Sequence, residues 1–135
     1  MDQITVRATL NEGSTIKRFI TEHLEKLQCI ESTRIQLLVA IDEIYSNIAR
    51  YAYGGKKGTV TVQMEVGGDT NTLTVTFTDR GIAFNPLEQM EPDIRLPKTE
   101  RQIGGLGLYM VRKTMDEVSY EYRDGSNILT IRKKI

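Results

Sequence analysis

The 135-residue chain has no tryptophan, one cysteine and one histidine. A single cysteine cannot form an intramolecular disulfide. Cys29 and His23 together cannot make the Cys/His cluster of a structural zinc site, so an ordinary hydrophobic core has to hold the fold. Excess charge is also missing. Lys plus Arg equals Asp plus Glu at 18 each, which leaves no overall field to gather nucleic acid or an anionic membrane. Long hydrophobic runs are absent, and the opening Met1-Asp-Gln-Ile-Thr-Val6 has no apolar core of signal-peptide length. The expectations are a cytoplasmic protein in a reducing compartment with no nucleic-acid or membrane partner. Cys29 reads as a small buried residue and His23 as a helix-surface residue. The length suits one domain over residues 1–135 with a single core.

The most strongly patterned stretch runs from Leu37 to Tyr53. On a 3.6-residue period Leu37, Leu38, Ile41, Ile44, Tyr45, Ile48 and Ala52 form a core-facing stripe. Glu43 and Asn47 fall outside it, on a second stripe with Ala40 and Tyr51, and one turn of rise separates them by roughly 6 Å. A carboxylate at that spacing from an amide oxygen suits deprotonation of a hydroxyl beside a hard cation such as Mg2+. Taken alone, the pair reads as a solvated Glu and an ordinary polar Asn, and only the rest of the chain can change that reading.

Before this stretch, Gln3 to Thr9 alternates as a strand. A helix over about Thr15 to Gln28 follows, with Ser14 expected as its N-cap and Ser32 or Thr33 capping the next helix. After it, Thr59 to Val66 and Thr72 to Asp79 form a hairpin. Leu73, Val75 and Phe77 share one face, and their parity carries on to Asp79, aiming an acid where the core lies. That acid is either a turn former in Asp79-Arg-Gly81 or an acceptor for a buried donor such as an adenine amino group. Periodicity stops from Gly81 to Ile103. The stretch Gly104-Gly-Leu-Gly107 then runs into an amphipathic helix, which fits either tight packing or close approach of backbone amides to phosphates. Strands near Glu117 to Tyr122 and Asn127 to Ile135 turn at Asp124-Gly125. Neither a Walker loop nor a dinucleotide-binding fingerprint in its βαβ setting is present.

In combination these stretches are specific. Glu43-Ile-Tyr-Ser-Asn47, Asp79-Arg-Gly-Ile-Ala-Phe84, Gly104-Gly-Leu-Gly-Leu-Tyr109 and Met115-Asp-Glu-Val118, in this order, make the whole chain resemble the GHKL, or Bergerat-fold, ATP-binding proteins. Within them the chain is most similar to the anti-sigma factor serine/threonine kinases of bacteria. The resemblance implies an α+β fold, a two-layer sandwich with a mixed, mostly antiparallel sheet, helices on one face, and an ATP lid over about residues 81–103. It also implies roles. Glu43 would be the general base and Asn47 the Mg2+ ligand. Asp79 would bind adenine, with Gly81 and Phe84 beside the base. Gly104, Gly105, Leu106, Gly107 and Leu108 would form a phosphate-facing loop. Arg18 would engage protein partners, and Lys98 and Arg101 are either phosphate contacts or solvated lid charges. The implied cofactors are ATP and Mg2+, and the implied partners a sigma factor and an anti-anti-sigma antagonist, with a homodimer possible. The activity implied is phosphorylation of that antagonist; the alternative is a non-catalytic ATP-binding interaction module. The chain departs from the family at Tyr51, where members commonly carry His.

Overall fold

The chain runs β1 (Asp2–Arg7), α1 (Gly13–Leu27), α2 (Glu31–Tyr51), β2 (Thr59–Gly67), β3 (Thr72–Asp79), α3 (Ile103–Thr114), β4 (Glu117–Arg123) and β5 (Ser126–Lys134). These elements come from a computed structural model that describes residues 2–67, 71–90 and 103–135. The strands form one five-stranded sheet in the order β1-β2-β3-β5-β4. All four pairings are antiparallel, so the sheet, expected to be mixed and mostly antiparallel, is antiparallel throughout. The cause is connectivity: β2–β3 and β4–β5 are hairpins, and the return through α3 brings β5 back against β3 in the opposite sense.

Period-two alternation gives the sheet one apolar face. Val60, Val62 and Met64 of β2, Leu73, Val75 and Phe77 of β3, and Leu129 and Ile131 of β5 are buried beneath the helices, while Thr61, Thr74, Thr76, Thr78 and Thr130 face the other way. The helices close the core with Ile16, Ile20 and Leu24 from α1. From α2 come Leu37, Ile41, Ile44, Tyr45 and Ile48, and from α3 Leu108 and Val111. Ala40 is also core, at 1% exposed, and not part of a site stripe, because α3 packs on that side of α2. Among the described residues, no helix is long and apolar enough to cross a membrane.

Several local expectations are corrected. Ser14 does not cap α1. A 3-10 turn over Leu10–Glu12 leads straight into the helix, and the Ser14 hydroxyl donates to Asn11 O instead. Nor does Ser32 or Thr33 cap α2, which begins at Glu31 behind an extended Ile30 with no side-chain cap; Thr33 is buried within the first turn. His23 is partly buried. Its Nδ1 lies 2.7 Å from Phe19 O and its Nε2 3.2 Å from Asp2, so the ring joins α1 to β1. Cys29 is partly buried, packed at the edge of the core.

Tyr45 fixes the position of α2 against the first strand. Its buried hydroxyl sits 2.9 Å from Arg7 O and 2.7 Å from Thr9 O, sharing one proton between two carbonyls. Burial raises its pKa above the ordinary phenol value. A raised native pKa means that the native state keeps its proton when the unfolded state has lost it. This stabilisation is therefore complete below about pH 10 and is lost as pH rises through the native pKa. Tyr45→Phe is expected to cost about 1 kcal/mol at neutral pH and to flatten the alkaline loss of stability. Urea midpoints at neutral pH and across about pH 9 to 11 measure both effects.

Candidate functional site

The parity that buries Leu73, Val75 and Phe77 also buries Asp79 at the end of β3, where it is 5% exposed. A carboxylate there needs donors, and the chain supplies two to the same oxygen. The Gly81 amide donates to Asp79 Oδ1 at 2.8 Å and Asn127 Nδ2 donates to it at 2.9 Å. Asn127 is the direct cross-strand neighbour of Asp79 on β5 and is itself 6% exposed.

Residues 80–84 are tied to the body by their backbone. Arg80 N donates to the Tyr53 hydroxyl (2.8 Å), Ile82 N to Ala52 O (2.6 Å) and Phe84 N to Asn127 Oδ1 (3.1 Å). Gly81 is required here because a Cβ on it would fall on the Ala52 carbonyl at the end of α2. A 3-10 turn over Pro86–Gln89 follows, capped by the Asn85 side chain, with Pro86 and Met90 buried. The first part of the stretch expected as a lid is thus anchored. The rest of it, with Lys98 and Arg101, lies outside the described residues.

Between these residues, α2 and α3 lies a cavity of about 150 Å³. Its walls are Ile44, Ile48, Ala52, Phe77, Leu108 and Leu129; its polar groups are Asn47, Asp79, Tyr120 and Asn127; and Tyr51, Ile82 and Phe84 are exposed around its mouth. An apolar slot with a carboxylate in its floor suits a flat ligand that carries an amino donor.

Glu43 lies one helical turn from Asn47 but does not line the cavity. Its half-buried carboxylate sits against α3, where a Cβ built on Gly107 would land on it. The glycine cluster is correspondingly not a loop. Gly104, Gly105 and Leu106 are in the first turn of α3 and Gly107 in the second. Glycine costs a helix about 1 kcal/mol relative to alanine, so contact with α2 outweighs propensity here. We expect Gly107→Ala to displace the Glu43 carboxylate, the mobile end of a flexible side chain, with stability unchanged or up to about 1 kcal/mol higher. A thermal melt reads the stability, and a shift of the Glu43 side-chain carboxyl resonance reads the displacement.

The structure therefore brings Asn47, Asp79, Phe84 and Leu108 around one cleft, with Gly81 bonded to Asp79 behind its lining and Glu43 and Gly107 adjoining it. Arg18 does not join them; it is exposed on α1, which contributes nothing to the cleft lining. The donor set fits a hard cation in one way only. Among the described residues no group of three or more His, Cys, Asp or Glu could hold a metal. A Mg2+ would rest on the Asn47 amide oxygen and on oxygens that its ligand and water bring, which is the usual manner of that ion. The sequence reading missed Asn127 and Tyr120. The signal for Asn127 was the alternation that marked Asp79, since Asn127 shares its parity with Leu129 and Ile131.

The pattern of histidine kinase-like ATPase domains matches residues 6–133. The chain is 28% identical to the serine/threonine-protein kinase BtrW of Bordetella bronchiseptica over 98 residues, covering 73% of this chain and 68% of that protein. It is 28% identical to the serine-protein kinase RsbW of Bacillus pumilus over 131 residues, covering 91% of this chain and 73% of that one. The fold superposes on a crystal structure of RsbU and RsbW domains from Mycobacterium tuberculosis with a TM-score of 0.66 and 18% identity, covering 99% of this chain and 32% of that chain.

Proposed function

The chain belongs to the histidine kinase-like ATPase domain family, and from that premise we propose that it binds ATP with Mg2+ and phosphorylates a serine of a small antagonist protein. In the same reading it is an anti-sigma factor, holding a sigma factor when that antagonist is not free. The observation carrying this is Asp79, a buried acceptor in the floor of an apolar cleft, with Asn47 and Glu43 spaced along α2 toward the first turns of α3. Adenine would enter the slot and give its amino hydrogen to Asp79. The phosphates would lie toward Asn47 and the N-terminus of α3, the end of a helix whose dipole and amide hydrogens favour anions.

A Mg2+ on the Asn47 amide oxygen would supply charge neutralisation on the phosphate oxygens. Glu43 takes the proton of the attacking serine hydroxyl as the new O–P bond forms, and the bond between the γ-phosphorus and the bridging oxygen breaks to release ADP. Positioning and charge stabilisation carry such a transfer, and both groups stand on one rigid helix. The names of the relatives BtrW and RsbW support the kinase reading.

One observation favours a non-catalytic nucleotide-binding module: Glu43 faces α3 and not the cleft. Incubation with γ-labelled ATP, Mg2+ and candidate antagonists separates the two readings. Label on an antagonist serine is the expected result; nucleotide binding without transfer would favour the module.

A further inference from the structure

Asn127 has every polar valence engaged by the protein. Its Nδ2 donates to Asp79 Oδ1 at 2.9 Å and to Ile82 O at 3.0 Å, with Gly81 O at 3.4 Å. Its Oδ1 accepts from the Tyr120 hydroxyl and, at 3.1 Å, from Phe84 N. The orientation of this amide follows from chemistry. Turned over, its NH2 would oppose the Phe84 amide hydrogen, which can only donate, and its oxygen would oppose a carboxylate and two carbonyls, which can only accept. Tyr120 has reason to keep its proton, because burial raises its pKa and the nearby Asp79 charge raises it further.

Resting on the reading that the cleft takes a nucleotide, we propose that Asn127, held by Tyr120, is the positioning residue that makes the cleft select 6-amino over 6-oxo purines. The two hydrogen bonds to Asp79 both end on Oδ1, which leaves Oδ2 as the oxygen available to a ligand. An ionised carboxylate oxygen only accepts. It pairs with the exocyclic amino group of adenine and opposes the carbonyl oxygen of a 6-oxo purine. Freed from Asn127, the carboxylate can rotate or admit water, and the opposition weakens. The same amide holds Phe84 and Ile82 at the mouth, so base selection and the shape of the entrance depend on one side chain.

The test is the ratio of affinities for ADP and inosine diphosphate, measured by calorimetry with Mg2+ on wild type, Asn127→Ala and Tyr120→Phe, alongside thermal melts. The expected result is a clear ADP preference in the wild type that falls by about tenfold or more in Asn127→Ala, with a smaller fall in Tyr120→Phe. Should Asn127→Ala not fold, Tyr120→Phe, which removes one hydroxyl and keeps the ring, still decides the matter. Lower melting temperatures with an unchanged ratio would mean a purely structural role and overturn the proposal. A wild type that binds neither nucleotide would overturn the nucleotide reading itself, a distinguishable failure.

Discussion

Glu43→Gln is expected to leave the chain folded and able to take up ATP, and to lower serine phosphotransfer by two to four orders of magnitude, about the contribution of a positioned general base. Glutamine keeps the length and shape of the side chain, so its contact with Gly107 is retained. What it loses is the ability to accept a proton. Nucleotide affinity should hold or rise, because a negative charge is removed near the proposed phosphate position. Single-turnover transfer from γ-labelled ATP, with calorimetry on the same samples, measures both quantities. Transfer at the wild-type rate would remove Glu43 from the mechanism; a matching loss of affinity would assign it to binding.

Asp79→Asn should act on binding. Its oxygen would stay with the Gly81 amide and Asn127 Nδ2, which turns the new NH2 toward the cleft. A donor then meets the amino group of the base, and a charge-assisted hydrogen bond is replaced by a clash of hydrogens. The expected loss is about 2–4 kcal/mol, roughly 30- to 1,000-fold in affinity for ADP or ATP. Stability should change little, since both donors to Oδ1 keep an acceptor. Calorimetric titration gives the affinity and a urea curve the stability. An affinity within twofold of wild type would place the base elsewhere.

Much of this arrangement is legible in the sequence because it follows from periodicity. The 3.6-residue repeat of α2 gives its core face and sets Glu43 and Asn47 apart from it. Alternation in β3 gives the burial of Asp79, a polar residue standing where an apolar one is due. What was not legible depends on contacts between distant segments. Nothing local to Gly107 says that the Glu43 carboxylate lies against it, or that the glycines would be helical, because the packing of α3 on α2 overrides their propensity. Asn127 could be flagged by parity, but its partnership with Asp79 needed the β3–β5 register, which a sequence does not state. The helix caps were misplaced for a smaller reason. A capping serine or threonine must itself be extended, whereas both helices start earlier than their polar residues suggest: α1 at Gly13, straight out of a 3-10 turn, and α2 at Glu31, which puts Ser14, Ser32 and Thr33 inside the helices.

On the function proposed above, the cleft between α2, α3 and the ends of β3 and β5 holds an adenine nucleotide. Backbone amide chemical-shift mapping during titration with ATP and Mg2+ tests it most directly. Saturable shifts are expected centred on Asn47, Gly81, Phe84, Gly107 and Asn127, with the outer sheet face at Thr61, Thr76 and Thr130 unmoved. Absence of saturable shifts at millimolar ATP, or shifts centred on that outer face, would contradict it.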